Sequence, residues 1–484
     1  MYTEYEDEID GQELSCEPSE RTSDIQLPPV VNCLLLSIWL VICLIGFAVM
    51  FLAENPVAGA VIIGVPTFIG MVLKPSFGLC ILMLVLPTGA GVGFRQVFSL
   101  DRGVGLALAV AFVLNLMITR PRLRISHKAL WVMVLYTLWV CLASLAGPYL
   151  RYELVRAFTQ VQLLALIFIV YWILQTNGEN CFRWACRAYV IGTLGTIALA
   201  FITGSAIRAI EDTPEQRYSA TLGETTDANM LASLTAIAFL AAIYLFARDK
   251  KLLWRVLYLA AILALPIMML KIGSRGALIA LMFTMLCPLL FVRQIVRRPA
   301  LAALLLGVIL LASVSAGLLV RSRGLEAGVA ARLTDPYQAR EALDYRMMPV
   351  KKAVECAVTR PLGTSYYGWF EESGLRILPH RDFFLALGVY GIAAAVLFAT
   401  FVVLIMLTVR RMPLGLEKFY ARAVLTYLLV MGLNVGQLYQ KHYWVFLAFI
   451  LASERMAGFF TEVKEEPPPC AEYEEELLPQ EQFA

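Results

Sequence analysis

Charged side chains are scarce in this sequence. They account for 16% of its 484 residues, and 60% of the residues are hydrophobic. A soluble domain of this length carries about 25% charged residues, so the shortfall argues against a water-soluble fold and indicates contact with lipid. The formal net charge is only +3 and no dense basic stripe occurs, so we expect no nucleic-acid partner.

Signatures of metal sites and disulfide frameworks are missing as well. The 10 cysteines lie mostly in apolar runs, and no Cys/His group has the spacing of a zinc site. We therefore expect no metal, no other cofactor and no structural disulfide. Residues 1–29 are acidic, whereas a cleavable secretory signal needs basic residues before its apolar run. The first apolar run is thus expected to remain as a membrane span.

Long apolar runs fill most of the chain between an acidic tail at residues 1–29 and an acidic, proline-containing tail at residues 458–484. The region 30–457 predicts an all-α polytopic membrane protein with about 12–14 transmembrane helices. The second and third runs are short, and they could instead form one re-entrant pair. The predicted spans cover residues 30–53, 56–73, 76–92, 103–119, 128–147, 155–175, 185–206, 228–247, 253–271, 276–292, 299–320, 382–408, 420–436 and 441–457.

Clusters of lysine and arginine in short loops set the predicted orientation. With the spans counted as above, these clusters fall on one side of the membrane, which the positive-inside tendency identifies as the cytoplasm. Both termini are then cytoplasmic, and two polar loops, 207–227 and 321–381, are extracytoplasmic. The basic clusters lie at residues 120–128, 248–255, 293–298 and 410–418.

The longer outer loop, 321–381, contains more arginine than lysine. Arginine presents a planar fork that suits bidentate contacts with phosphate or carboxylate. A tolerated mixture of charges is the alternative, since loops of about 60 residues begin to escape the positive-inside rule. Residues 342–358 also predict an amphipathic helix that could lie across the membrane face. We interpret the loop as one that handles an anion.

Two ionisable residues at the outer ends of predicted spans are functional candidates. Arg275 lies between Gly273 and Gly276, which allow a close approach of the backbone. His380 is one of three histidines and follows the long outer loop, just before a span. A neutral imidazole there can take a proton from a hydroxyl at ambient pH. The alternative is a histidine that begins a helix at the level of the lipid headgroups.

Two short segments carry a resemblance to a known family. Residues 221–229, which end in Asn229 and enter a span, are similar to the Gly…Asn segment of the O-antigen ligase and polymerase superfamily. Residues 274–277, Ser-Arg-Gly-Ala, open the next span with an outward mouth and resemble that family's Ser-Arg-Gly signature.

Two later segments extend the resemblance in the family's order. Tyr345-Arg346, an amphipathic stretch and residues 360–363 resemble the large periplasmic loop. His380, followed by residues 388–391, resembles the family's His-Asn…Gly-hydrophobic-Gly pattern. Arg381 is a departure, because the family commonly has asparagine there. Order, spacing and predicted membrane side agree between residues 210 and 410.

The resemblance implies a GT-C-like fold and a metal-independent inverting glycosyltransferase of the bacterial inner membrane. The enzyme would take a glycan from an undecaprenyl-diphosphate donor. The acceptor would be lipid A core, a growing glycan or another hydroxyl, and ligase and polymerase both remain open. By resemblance, His380 is the base and Arg275, with other arginines, manages the leaving diphosphate. The residues assigned to substrate binding are Arg217, Asn229, Arg340, Arg346 and Arg381.

Two other classes of function remain open from the sequence. One is a flippase or other transporter of polyprenol-linked glycans, and the other is a non-catalytic subunit of a membrane assembly. Many transporters contain internal repeats, but the halves of this chain do not match convincingly. Charged residues also concentrate near the outer face rather than at mid-membrane, which favours chemistry at the surface over a transport path.

Overall fold

The computed structural model describes residues 24, 28–54, 56–88, 100–120, 127–202, 207–209, 216–218, 228–289 and 336–462. These residues are predominantly helical, and six of their helices are long and apolar enough to cross a membrane. This is the architecture expected of a polytopic membrane protein. Four shorter apolar helices accompany them.

The helices coincide closely with the predicted spans. A short helical turn follows α3 at Leu86–Thr88, and two strands, β1 (Ile207–Ala209) and β2 (Gln216–Tyr218), pair antiparallel. The predicted span 299–320 lies outside the described residues. The helices are α1 (Pro29–Leu52), α2 (Pro56–Leu73), α3 (Pro75–Val85), α4 (Leu100–Thr119), α5 (Lys128–Leu145), α6 (Leu150–Ile202), α7 (Ala228–Arg248), α8 (Leu252–Ile272), α9 (Arg275–Leu289), α10 (Pro336–Thr359), α11 (Gly368–Ser373), α12 (Asp382–Arg411), α13 (Leu416–Gly432) and α14 (Lys441–Glu462).

Two helices are broken at a glycine. Gly178 has φ +66° and divides α6, so the predicted spans 155–175 and 185–206 are the two halves of this element. Gly391 has φ +84° and divides α12. Side chains of L-residues rarely tolerate such angles, and a Cβ at position 391 would also lie 2.4 Å from the carbonyl oxygen of Pro361. The second break is therefore specific to glycine.

The helix α7 lies at the centre of the bundle, with 83% of its most apolar stretch buried. Aromatic side chains of α6 and α14 fill the space beside it, with ring centroids 4.8 Å apart for Tyr189 and Phe446 and 5.0 Å apart for Phe182 and Phe449. In contrast, α1 exposes most of its apolar side chains, as a lipid-facing helix does. Because α7 begins next to Asn229, the core helix positions one end of the candidate site.

The predicted amphipathic stretch 342–358 forms part of α10, which confirms it as a helix. α10 packs against α12 at Gly388, where a Cβ would lie 2.8 Å from the Cβ of Ala353. The last helix, α14, is longer than the predicted span 441–457, because it continues to Glu462. Most of both acidic tails lies outside the described residues.

Candidate functional site

The first two motifs of the resemblance are in direct contact. Asn229 lies in the first turn of α7, and Ser274 immediately precedes α9. The Ser274 hydroxyl is buried and donates a hydrogen bond of 2.8 Å to Oδ1 of Asn229. The contact joins residues 45 positions apart and fixes the backbone that carries Arg275, whose side chain is half-buried.

Residues 433–440, here called the α13–α14 loop, connect that motif to His380. At one end of the loop, a Cβ on Gly276 would lie 3.2 Å from the Cβ of Asn434. Two residues further on, a Cβ on Gly436 would lie 3.9 Å from both the carbonyl carbon of His380 and Oδ1 of Asp382. The loop thus lies between the Arg275 motif and the His380 motif.

Asp382 holds the α13–α14 loop in place. Its carboxylate is buried, and Oδ1 accepts hydrogen bonds from the backbone N–H groups of Gln437 at 2.5 Å and Leu438 at 3.0 Å. Oδ2 lies so close to Gly432 that a Cβ there would be 2.6 Å away. Buried carboxylates need such partners, so the loop and the start of α12 are fixed together beside His380.

His380 and Arg381 are half-buried at the start of α12. Nη2 of Arg381 lies 3.3 Å from the sulfur of Met347, which follows Arg346 in α10. The contact joins the start of α12 to the turn of α10 that carries the half-buried Arg346. The α13–α14 loop thus contacts the Arg275 motif and the His380 segment, and Arg381 links that segment to α10.

The other predicted arginines lie in less informative positions. Arg217 belongs to β2, where its backbone pairs with Arg208 of β1. Arg340 belongs to the first part of α10, the helix that also carries Arg346. Their roles in substrate binding stay predictions.

His442 is a polar residue of the site to which the sequence had given no role. It is buried under the α13–α14 loop, with Nε2 2.9 Å from Oε1 of Gln437 and 3.5 Å from the hydroxyl of Ser233. With Gln437 as acceptor, Nε2 carries the proton. Nδ1 is buried and has no hydrogen-bond partner in the part of the chain that the structure describes. The sequence signal for His442 was its rarity, as one of three histidines, and its position just after Gln437 and Gln440.

Arg156, near the start of α6, adds a cation that sequence reasoning missed. Its guanidinium lies 4.1 Å from the ring centroid of Tyr366 and 5.8 Å from that of Tyr439 in the α13–α14 loop. The hydroxyl of Tyr439 is hydrogen-bonded to that of Tyr390. Burial raises the pKa of Tyr366 and of Tyr439, so both phenols are neutral near pH 7 and present their ring faces to the cation.

Glu153, one turn before Arg156, fixes the segment that ends the long loop. Its carboxylate is fully buried and accepts hydrogen bonds from the Ser365 hydroxyl at 2.7 Å and from the backbone N–H groups of Tyr366 and Tyr367 at 3.1 and 2.6 Å. Three donors on one buried carboxylate make this a rigid junction between α6 and the loop.

The same segment fills the break in α12. The backbone N–H groups of Thr364 and Ser365 donate to the carbonyl of Val389 at 3.0 and 2.9 Å, and that of Ile392 donates to the carbonyl of Pro361 at 3.0 Å. These bonds satisfy backbone groups that the break at Gly391 releases. Residues 360–363 and 388–391, both parts of the resemblance, thus dock on one another.

His127 has a different environment from the other two histidines. Its Nδ1 accepts a hydrogen bond of 3.2 Å from the backbone N–H of Ala129 and caps α5. Its Nε2 lies 3.1 Å from the hydroxyl of Thr408 and 3.3 Å from a carboxylate oxygen of Glu454. These contacts join the start of α5 to the last turns of α12 and α14, at the end of the bundle away from the α13–α14 loop.

No protein-family model matches the chain, and no curated protein matches it. Around the α13–α14 loop the fold places several guanidinium groups, an imidazole and a buried carboxylate. Guanidinium groups suit an anion such as a diphosphate, and an imidazole suits the movement of one proton.

Proposed function

We propose that this chain is a glycosyltransferase of the bacterial inner membrane. It moves a glycan from undecaprenyl diphosphate to a hydroxyl acceptor at the extracytoplasmic face, as an O-antigen ligase or a polysaccharide polymerase. The observation that supports this best is the α13–α14 loop, which contacts the Arg275 motif on one side and His380 on the other. Residues from distant parts of the sequence that converge on one loop are the usual form of an active site.

Arginines provide the first half of the chemistry. As the bond from the anomeric carbon to the diphosphate breaks, negative charge builds on the leaving oxygen. Arg275 and Arg346 neutralise that charge in a site partly screened from water. Arg156 joins them as a third cation, since Tyr366 and Tyr439 hold its guanidinium at the α13–α14 loop. A guanidinium keeps its charge at every accessible pH.

His380 provides the second half. The acceptor oxygen forms its new bond to the anomeric carbon on the face opposite the diphosphate, which inverts the configuration. Nε2 or Nδ1 of a neutral His380 takes the acceptor proton in the same step. Asp382 positions His380, because its buried carboxylate ties the start of α12 to Gln437 and Leu438.

The glycan profile of cells lacking the protein tests this function. Loss of long chains with single repeat units still attached to the acceptor is expected of a polymerase, and unattached long chains are expected of a ligase. Accumulation of the lipid-linked donor on the cytoplasmic leaflet would instead identify a transporter. A normal profile would contradict the proposal.

Reporter fusions test the orientation on which the proposal depends. Fusions after Arg124, Lys251, Arg298 and Arg411 should be cytoplasmic, and a fusion near Gly363 should be periplasmic. A cytoplasmic reporter at Gly363 would place the site in the wrong compartment and overturn the assignment.

A further inference from the structure

Four aromatic side chains pack against one another beside the candidate site. Tyr152 of α6 meets Tyr367 with ring centroids 5.3 Å apart, and Tyr367 meets Tyr366 at 5.1 Å. Phe370 of α11 completes the group, 5.8 Å from Tyr366 and 6.4 Å from Tyr367. We call these four residues the aromatic shelf.

The aromatic shelf is rigid. Glu153 accepts the backbone N–H groups of Tyr366 and Tyr367, and the neighbouring Ser365 hydroxyl binds the same carboxylate. One face of the Tyr366 ring is covered by Arg156 at 4.1 Å. The remaining rings are partly open, with Tyr152 55% exposed. A surface whose rings are already fixed loses little conformational entropy when a ligand binds.

The shelf lies at a boundary between charged and apolar surface. On the α11 side, Glu371 and Glu372 follow Phe370; the hydroxyl of Tyr149 is hydrogen-bonded to Glu371, and Arg360 lies 3.6 Å from Glu372. On the α6 side, Val155 and Phe158 follow Tyr152 and are 61% and 62% exposed.

Trp131 of α5 is the comparison. It is 55% exposed, like Tyr152, and the exposed Leu135 and Leu138 follow it along the same helix face. Charged side chains beside hydrocarbon are costly. Tyr367 and Phe370, next to Glu371 and Glu372, therefore lie towards water, whereas Trp131 lies towards the apolar Leu135 and Leu138.

The shelf is continuous with the candidate site. The Tyr366 ring meets the edge of Tyr439 with centroids 5.7 Å apart. Tyr439 belongs to the α13–α14 loop, close to Gln437, which is bonded to Asp382. A ligand that reaches from His380 along this loop therefore arrives at the shelf.

The geometry points to a carbohydrate subsite: the aromatic shelf binds sugar rings of the glycan next to the reacting sugar. The apolar C–H faces of a pyranose stack on fixed aromatic rings, and its hydroxyls find Glu371 and Tyr149 at the rim. The inference rests on the proposed function in that it takes the substrate to be a glycan. Donor and acceptor glycan share this chemistry.

Binding can be measured without transfer. The purified protein in nanodiscs would be titrated with the oligosaccharide that mild acid releases from the producing cell's own surface polysaccharide, followed by saturation-transfer NMR. The double variant Tyr152→Ala, Tyr367→Ala should bind about tenfold more weakly, since lost stacking worth about 1.4 kcal/mol gives that factor. The double variant Tyr152→Phe, Tyr367→Phe keeps both rings and should bind as the wild type does.

Trp131→Ala is the matched control, because it removes an equally exposed aromatic side chain that faces lipid. Unchanged binding by the Ala pair, equal loss with Trp131→Ala, or no binding by the wild type would overturn the subsite. If the Ala pair fails to elute as a folded monodisperse protein, Tyr152→Ala alone gives the same test with a mostly exposed side chain.

Kinetics separate this inference from the proposed function. Shelf-dependent binding without any glycan transfer would overturn the proposed function and leave the subsite standing. Transfer with unchanged KM values for both substrates in the Ala pair would overturn the subsite and leave the function standing. A raised KM for only one substrate supports the subsite and identifies whether donor or acceptor glycan occupies it.

Discussion

Two arginines near the Arg248 end of α7 and two near its Asn229 end are held in different ways. At the Arg248 end, Arg187 donates to both carboxylate oxygens of Asp249 at 2.8 and 2.9 Å, and Arg248 donates to Glu179 at 2.8 Å. At the Asn229 end, Arg156 lies on tyrosine rings and Arg381 on a thioether. Among the described residues, neither has a carboxylate oxygen within 4 Å.

We propose that this difference separates cations that stabilise the fold from cations that bind a substrate. An arginine whose donors are taken by a carboxylate stabilises the fold and cannot easily bind another anion. An arginine held by aromatic or sulfur contacts is positioned while its charge remains available. We therefore propose that Arg187 and Arg248, at one end of α7, stabilise the fold and that Arg156 and Arg381, at the other end, serve the chemistry.

The largest expected effect is at His380. His380→Ala should lower the rate of glycan transfer by about 100- to 10,000-fold, because a general base is lost. His380→Gln should be similarly impaired, since glutamine accepts a hydrogen bond but not a proton. Transfer of the lipid-linked glycan by purified protein is the measurement.

His127→Gln is the matched control from the other end of the bundle. It keeps a hydrogen-bonding group beside Thr408 and Glu454 and should transfer normally. Near-normal transfer by His380→Gln would show that this histidine only positions the acceptor, and full activity of His380→Ala would remove it from the mechanism.

Arg275→Lys should reduce transfer by about 10- to 100-fold. The positive charge remains, but the fork that binds a diphosphate in a bidentate manner is lost, and a charge-assisted hydrogen bond contributes about 1.5–3 kcal/mol. Arg411→Lys is the control, since Arg411 is exposed in the last turn of α12, far from the α13–α14 loop. Equal tolerance at both positions would mean that the arginines form only a charged surface.

Asp249→Asn probes the other end. It removes the negative charge that pairs with the half-buried Arg187, which should destabilise the fold by up to about 3 kcal/mol while kcat of the folded protein stays unchanged. The midpoint temperature of unfolding in one detergent measures the first effect. Glu355→Gln breaks the exposed pair with Lys352 and should leave that temperature unchanged. A loss of kcat in folded Asp249→Asn would refute the division between the two ends.

Much of the helical framework was predictable because apolar runs long enough to span a membrane are a local signal. The predicted runs 228–247 and 253–271 agree with α7 and α8 to within a residue or so at each end. The motifs that contain His380, Arg275 and Asn229 were visible in the sequence, and the roles of these residues stay predictions. Their convergence on the α13–α14 loop was not visible there.

The rest of the candidate site could not be predicted, because it depends on contacts between residues far apart in the sequence. Glu153 binds Ser365 across 212 residues, and nothing near Glu153 in the sequence indicates that partner. The position of the Arg156 guanidinium likewise depends on Tyr366 and Tyr439, which lie far along the chain. The break in α12 also gives no sign in the sequence, because Gly391 lies in an apolar run and glycine is common in membrane helices. Gly178 differs, since it lies in the polar stretch between the predicted spans 155–175 and 185–206.

The break at Gly391 gives the smallest expected effect and the most specific one. Gly391→Ala should destabilise the protein by about 1–3 kcal/mol, the usual cost of a strained backbone angle. The added Cβ would also press on the carbonyl oxygen of Pro361 and loosen the segment that Glu153 anchors beside Arg156. Gly195→Ala, where a Cβ meets nothing within 4 Å, should leave the midpoint of unfolding unchanged or slightly higher. Because the docked segment leads directly to Tyr366, Gly391→Ala should also raise KM in the fraction that folds, whereas Asp249→Asn should not. Equal KM values in these two variants would show that the docked segment supports the fold without shaping the site.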